Sequence, residues 1–223
     1  MKLTVNSDCK GADMAEGGTG KAAQGGVRQA QREATRALLL DAAVAALIEM
    51  GVARTTTLEV QNRAKVSRGA LLHHFPTHAE LLSATVARLV EMNEQAIGRE
   101  AQAQAGGGDP LDWAIRTVVG AFAHPSLVAE LELWAVARTD EGLRTALRRT
   151  ERAARPESDR VMADLFAPLN GAPGLERVVA LTLEFARGLA ISSILRGDPK
   201  LRETLIESWI EAARGLLDVR PND

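Results

Sequence analysis

The chain has 223 residues, of which 46% are hydrophobic, 25% are charged and 3% are aromatic. Its 38 alanines and 28 leucines favour helix, and so few aromatic residues argue against a β-sandwich or barrel. A net charge of −2 argues against a protein that coats nucleic acid indiscriminately, and the single cysteine, Cys9, excludes an internal disulfide. No stretch resembles a membrane span or a secretory signal, so we expect an all-α cytoplasmic protein without a membrane partner or a cofactor.

The N-terminal part of the chain divides into a tail and a first helix. Residues 1–30 contain six glycines and no periodic apolar face, which predicts a disordered tail. A first helix is expected from Gln31 to Met50, because apolar residues recur on one face and Gly51 provides a stop signal.

Two short helices joined by a tight turn follow. A capping box at 56–59 opens a second helix, Ser67 caps a third, and another capping box at 77–80 begins a longer fourth helix. Residues 54–75 carry a net charge of +3, although the whole chain is slightly acidic. The pattern predicts a DNA-binding helix-turn-helix, but a helical hairpin with only a core role gives the same pattern.

The remainder of the chain predicts five more helices. Their boundaries are marked by Asp109-Pro110, His124-Pro125, Thr139-Asp140, the stretch 168–174 and Asp198-Pro199. The last two helices, at about 174–196 and 199–217, are the most apolar pair. We therefore expect a DNA-binding domain at 31–80 and a second helical domain at 81–223.

The central motif resembles the signature of the TetR (tetracycline-repressor-like) family of bacterial transcriptional regulators. The resemblance is carried by TTTLEV at 55–60 and AKVSRGALLHHF at 64–75, with LLLDAA at 38–43 in front and a weaker match, ELWAVARTD, at 132–140. It implies an N-terminal three-helix DNA-binding domain and a C-terminal helical bundle for ligand binding and dimerisation.

The same resemblance implies which residues contact DNA. The third helix would lie in the major groove, and the second helix and the start of the fourth would contact phosphates. The expected DNA-binding residues are Thr56, Thr57, Lys65, Ser67, Arg68, Gly69, Ala70, Leu72, His73, His74 and His78. Arg68 is the best candidate for reading a base, because its guanidinium can pair with guanine O6 and N7.

Three positions depart from the family's pattern. Lys65 replaces a glycine in the turn, which predicts strain of about 1 kcal/mol if the left-handed conformation is kept. Leu72 replaces a tyrosine and removes a hydroxyl contact, and His78 replaces a lysine, so that contact would weaken as pH rises. These changes leave the operator sequence open.

The resemblance also predicts an apolar effector cavity and a dimer formed by the last two helices. The expected pocket residues are Trp113, Phe122, Trp134, Met162, Phe166 and Phe185. The expected interface residues are Leu183, Ala186, Ala190, Ile191, Leu195, Leu205 and Trp209. For both sets the alternative is packing within one chain.

We therefore expect a homodimeric repressor, and not an enzyme, that leaves a palindromic double-stranded operator when a small apolar or weakly polar effector binds. The alternative is a helical small-molecule-binding protein or enzyme whose N-terminal helices are only structural, although no catalytic motif is present. A metal site at His73, His74 and His78 is disfavoured because Pro76 interrupts the helical spacing. Arg28, Arg32 and Arg36 either contact DNA or are solvated.

Overall fold

The computed structural model describes residues 19–103 and 108–218, and over these residues the chain is all-α with no strand. The helices are α1 (Thr19–Met50), α2 (Thr57–Ala64), α3 (Arg68–His74), α4 (His78–Ala103), α5 (Pro110–Phe122), α6 (Pro125–Ala137), α7 (Glu141–Leu165), α8 (Leu175–Ser193) and α9 (Pro199–Asp218). Single 3₁₀ turns follow α1, at Val52–Arg54, and α7, at Ala167–Leu169. Within the described ranges, no helix is both long and apolar enough to cross a lipid bilayer.

Helix α1 begins at Thr19, twelve residues before the predicted start at Gln31. The prediction required an apolar face, whereas alanine, glutamine and arginine favour helix without one. The first 18 residues of the predicted tail, and Cys9 with them, lie outside the described residues. The chain divides into two compact units, one ending at Leu38 and the other beginning at Leu39.

Side-chain caps fix the starts of the three helices that follow α1. The Thr56 hydroxyl accepts a hydrogen bond from the Glu59 backbone N–H at 3.2 Å, and the Ser67 hydroxyl accepts one from Ala70 at 3.2 Å. Thr77 caps α4 in the same way, at 3.1 Å from the Glu80 N–H. Each bond satisfies a backbone donor that has no partner inside the helix, so the predicted boundaries are confirmed.

Helices α1 to α4 share a small apolar core. Its buried members are Leu39, Leu40, Ala43, Val60, Leu71, Phe75 and Leu81. A second cluster joins the end of α1 to α4, α6 and α7, and the third and largest cluster joins α5, α7, α8 and α9. The first and second clusters both include residues of α1 and α4. The short helices α2 and α3 therefore pack against these two longer helices.

The joint before α8 requires glycine. Gly174 adopts φ 75°, and a Cβ atom there would lie 2.3 Å from the Leu216 carbonyl oxygen. The backbones at the start of α8 and the end of α9 therefore approach more closely than any side chain would allow.

Candidate nucleic-acid interface

Helix α3 has one buried face and one exposed face. Leu71 and Phe75, four residues apart, are 1% and 3% exposed and pack into the core with Val60. Arg68 and Leu72, also four residues apart, are exposed on the other side. The seven-residue helix is thus anchored by its apolar face and presents a polar face with a guanidinium at its N-terminal end.

The turn between α2 and α3 is held in a left-handed conformation by Lys65. Lys65 has φ 55° and ψ 39°, and it is the only non-glycine residue with positive φ in the described part of the chain. Its N–H donates to the Asn62 carbonyl at 3.3 Å, which closes α2. A Cβ in this conformation costs roughly 1–2 kcal/mol, so the turn is strained as the sequence predicted. The exposed side chain places an ammonium group beside Ser67 and Arg68 in the chain.

The net charge of the motif is distributed unevenly over its two sides. Arg63 forms ion pairs of 2.7 Å with both Glu59 and Glu49, and the hydrogen bonds that it donates to these carboxylates raise the pKa of the guanidinium. Within residues 19–103 and 108–218, neither Lys65 nor Arg68 forms an ion pair. The positive charge that remains for a partner therefore lies at the turn and at the start of α3, together with the exposed Arg54 before α2.

The remaining predicted contacts have varied surroundings. Ser67, Gly69 and His73 are exposed, whereas Ala70 and His74 are half-buried. The rings of His73 and His74 meet edge to face with centroids 5.4 Å apart.

The threonines and His78 lie beside the start of α2. Thr56 is an exposed cap and Thr57 is half-buried. His78 Nε2 donates to the Thr55 carbonyl oxygen at 2.8 Å, which leaves Nδ1 for another partner. No cluster of three or more potential metal ligands occurs in the portion of the chain that the structure describes.

One carboxylate joins α6 to the turn that precedes α2. Glu132 Oε1 accepts a hydrogen bond from the Val52 backbone N–H at 2.8 Å. Gly51, with φ 77°, lies against the same oxygen, and a Cβ at residue 51 would approach it to 2.8 Å. Sequence reasoning did not single out this contact, because the two residues are 80 positions apart.

Comparison with known proteins decides the family. Residues 39–85 match the family model of bacterial regulatory proteins, tetR family. The chain is 32% identical to the HTH-type transcriptional regulator CymR of Pseudomonas putida. The alignment extends over 170 residues, which are 74% of this chain and 81% of CymR. The chain belongs to the TetR family. It is accordingly a DNA-binding transcriptional regulator.

Solved structures support the same fold. One is the multidrug binding protein EbrR, which was solved with imidazole and is 18% identical to this chain. The two structures superpose with a TM-score of 0.58 over 84% of this chain and 97% of EbrR. A TetR-family regulator from Rhodococcus sp. is 21% identical with a TM-score of 0.59, and covers 82% of this chain and 98% of its own. The all-α helix-turn-helix architecture with a helical second domain is therefore confirmed.

Five of the six predicted pocket residues lie in or against the largest apolar cluster. Phe122, Met162 and Phe166 are buried there, and Trp113 and Phe185 are partly buried against it.

Trp134, the sixth predicted pocket residue, is 37% exposed. The guanidinium carbon of Arg187 lies 5.2 Å from the centroid of its ring and 5.9 Å from that of Phe122. Arg187 on α8 therefore connects the aromatic residues of α5 and α6.

A polar group lies inside this helical region, and sequence reasoning missed it. Glu130 on α6 is half-buried, and Asn93 on α4 donates to its Oε2 at 2.5 Å. Burial raises the pKa of Glu130 to about 7, against the opposing effects of the nearby Arg187 and of the Asn93 hydrogen bond. Only a tertiary contact between helices reveals this carboxyl, because its sequence neighbours form an ordinary apolar helix.

The predicted interface residues divide by exposure. Ala186 and Ala190 are buried within the chain, and Leu183 and Trp209 are half-buried. Ile191, Leu195 and Leu205 are exposed by 46%, 90% and 39%. Three further large apolar side chains of α8, α9 and the turn between them are also exposed: Leu181, Ile194 and Leu201.

Trp209 is also held by its own chain. Its ring stacks on Phe185 with centroids 6.0 Å apart, and its indole N–H donates to Thr182 at 3.1 Å. One predicted interface residue therefore contacts one predicted pocket residue.

Proposed function

We propose that this chain is a homodimeric repressor that binds a palindromic operator and is released by a small apolar or weakly polar effector. In this proposal residues 31–80 bind DNA, and residues 81–223 bind the effector and form the dimer. The exposed face of α3, with Arg68 at its start and Leu71 and Phe75 anchoring its back, carries the proposal. Arg68 reads a base edge and Lys65 contacts a phosphate in each half-site.

Dimerisation through α8 and α9 is supported by the exposed leucines and isoleucines on these helices and in the turn between them, where Ile194 and Leu195 lie. Side chains such as Leu195 and Ile194 are 90% and 61% exposed in the single chain, which a soluble monomer seldom tolerates side by side. A groove of about 200 Å³ between α8 and α9 is lined by Leu189, Leu201 and Leu205 and continues this surface. A twofold axis here would present two α3 helices to two half-sites.

The effector cavity is supported by buried polar atoms among apolar side chains. In the described residues, Asn93 Oδ1, Trp113 Nε1 and Thr117 Oγ1 are buried without a hydrogen-bond partner. Such groups are costly alone and favour a ligand that carries complementary polar atoms on an apolar body. EbrR, a neighbour of the same fold, was solved with imidazole and with ethidium, which agrees with small-molecule binding by a protein of this fold.

Helix α6 connects the proposed cavity to the DNA-binding helices. Glu130 faces Asn93 of α4, and Glu132, two residues later, accepts from the Val52 N–H before α2. An effector that displaces α6 therefore shifts the turn that positions α2 and α3. For release, the effector must bind the displaced state more tightly than the DNA-bound state.

The proposal is tested by selecting duplexes from a random pool with the wild-type protein and measuring affinity for the enriched site. We expect a palindromic site, and we expect Arg68→Ala to relax specificity at one base pair in each half-site by roughly 1–3 kcal/mol. A uniform loss on all sequences would instead make Arg68 a phosphate contact. Failure to enrich any sequence, together with turnover of a small molecule, would favour the alternative of an enzyme with structural N-terminal helices.

A further inference from the structure

The first half of α1 carries a stripe of arginines. Arg28, Arg32 and Arg36 are exposed and follow one another at intervals of four residues. In an α-helix this spacing advances each residue by about 40° and 6 Å, so the three lie on one face over about 12 Å. We call Arg28, Arg32 and Arg36 the arginine stripe.

The apolar side chains beside the arginine stripe are exposed, Leu38 by 56% among them. Val27 is 68% exposed, and between residues 26 and 38 no side chain is buried. The single acidic residue of this segment, Glu33, accepts a hydrogen bond of 2.6 Å from the Gln29 amide. The segment therefore buries none of its side chains in the core, and its net positive charge suits an anionic partner.

The arginine stripe lies before the segment that the family model matches. The family match begins at residue 39, three residues after Arg36. EbrR and the Rhodococcus regulator are covered over 97% and 98% of their own lengths but leave 16% and 18% of this chain unmatched. The residues before position 39 make up a similar share of the 223-residue chain.

The arginine stripe precedes the DNA-binding core on the same helix. Leu39 and Leu40, three and four residues after Arg36 in α1, are buried in the core that holds Leu71 of α3. Duplex DNA presents one negative charge for about every 1.7 Å of its axis, so phosphates are dense enough for each guanidinium of the stripe to contact one.

We propose that the arginine stripe is a second DNA contact that binds the phosphate backbone without reading sequence. This inference rests on the proposed function, because it requires a chain that binds DNA through α3. Each arginine neutralises one phosphate in each half of the dimer. The stripe therefore adds affinity and salt dependence equally on every duplex, whereas Arg68 adds discrimination between duplexes.

The test compares the full-length wild type with R28Q/R32Q/R36Q on the selected operator and on a random duplex, from 50 to 300 mM KCl. Glutamine keeps the helix propensity of arginine and removes its charge. We expect the slope of log Kd against log salt to fall by about 0.9 for each lost contact, and affinity near 150 mM to fall at least about tenfold on both duplexes. R28K/R32K/R36K is expected to retain the wild-type slope.

The matched control is R148Q/R149Q/R152Q, which removes three exposed arginines of α7 and the same total charge. An equal loss in this control would assign the effect to net charge and overturn the inference. An R28Q/R32Q/R36Q slope equal to that of the wild type would also overturn it, while leaving operator selection and the Arg68→Ala effect intact. A wild type that selects no operator would instead contradict the proposed function.

Discussion

The helix-turn-helix at residues 51–80 and the helical region at 108–218 use polar groups in opposite ways. In the first, the caps at Thr56 and Ser67 accept from backbone N–H groups only three residues away, and the buried Thr55 hydroxyl donates to the Gly51 carbonyl, four residues before it. In the second, Glu130 lies among helices, with Asn93 37 residues before it and Arg187 57 residues after it. The first region is therefore organised by local contacts, whereas the carboxyl in the second is surrounded by groups from α4 and α8.

Substitution of the adjacent leucines of α3 is expected to give the largest effect on stability. Leu71 is 1% exposed and Leu72 is 41% exposed. We expect Leu71→Ala to lower the free energy of unfolding by about 2–5 kcal/mol, because it leaves a cavity behind the recognition face. Leu72→Ala is expected to change it by less than about 0.5 kcal/mol.

Urea denaturation and operator affinity check the pair. We expect Leu71→Ala to lose both stability and DNA binding, whereas Leu72→Ala loses affinity alone. Similar destabilisation by the two substitutions would contradict the assignment of opposite faces to α3.

Glu130 gives an intermediate effect that depends on pH. Its pKa is raised from an ordinary 4.5 to about 7, so between these values the folded chain holds a proton that the unfolded chain has released. Stability should therefore be full below about pH 4.5, fall as pH rises towards 7 and then level off. Glu130→Gln removes this dependence.

Thermal melting of the wild type and Glu130→Gln from pH 5 to pH 8 measures the difference. We expect the variant to gain roughly 2 kcal/mol over the wild type across this range, because the glutamine resembles the protonated acid. Parallel curves would show that the carboxyl titrates in the ordinary acidic range and is well solvated.

The smallest effect is expected at Lys65, where conformation and charge can be separated. Lys65→Gly relieves the left-handed strain but makes the unfolded chain more flexible, so we expect a gain of less than about 1 kcal/mol. Operator affinity should nevertheless fall, since the ammonium is lost. Lys65→Ala keeps the strain and loses the charge, so equal stabilities for the glycine and alanine variants would argue against strain.

The boundaries of α2 to α4 could be predicted because their determinants are local. Thr56, Ser67 and Thr77 each cap a helix through a donor three residues ahead, and such spacing can be read directly. The left-handed turn at Lys65 was also predictable, through the glycine usual at that position in the family.

The polar contacts of Glu130 in the helical region could not be predicted in the same way. Glu130 lies in an apolar helix, and neither its pairing with Asn93 nor its nearness to Arg187 leaves a periodic signal. The early start of α1 was missed for a different reason, since an exposed helix lacks the apolar periodicity on which the prediction relied.

The contact of Glu132 with the backbone at residues 51 and 52 has a consequence for building chimaeras. A recognition segment taken from another TetR regulator would fit this chain best with glycine at the position of Gly51, because the backbone there has φ 77°, which other residues rarely adopt. It would also have to present a free N–H where Val52 donates, which rules out proline. The segment that can be exchanged therefore begins after residue 52, because residues 51 and 52 contact Glu132 of α6.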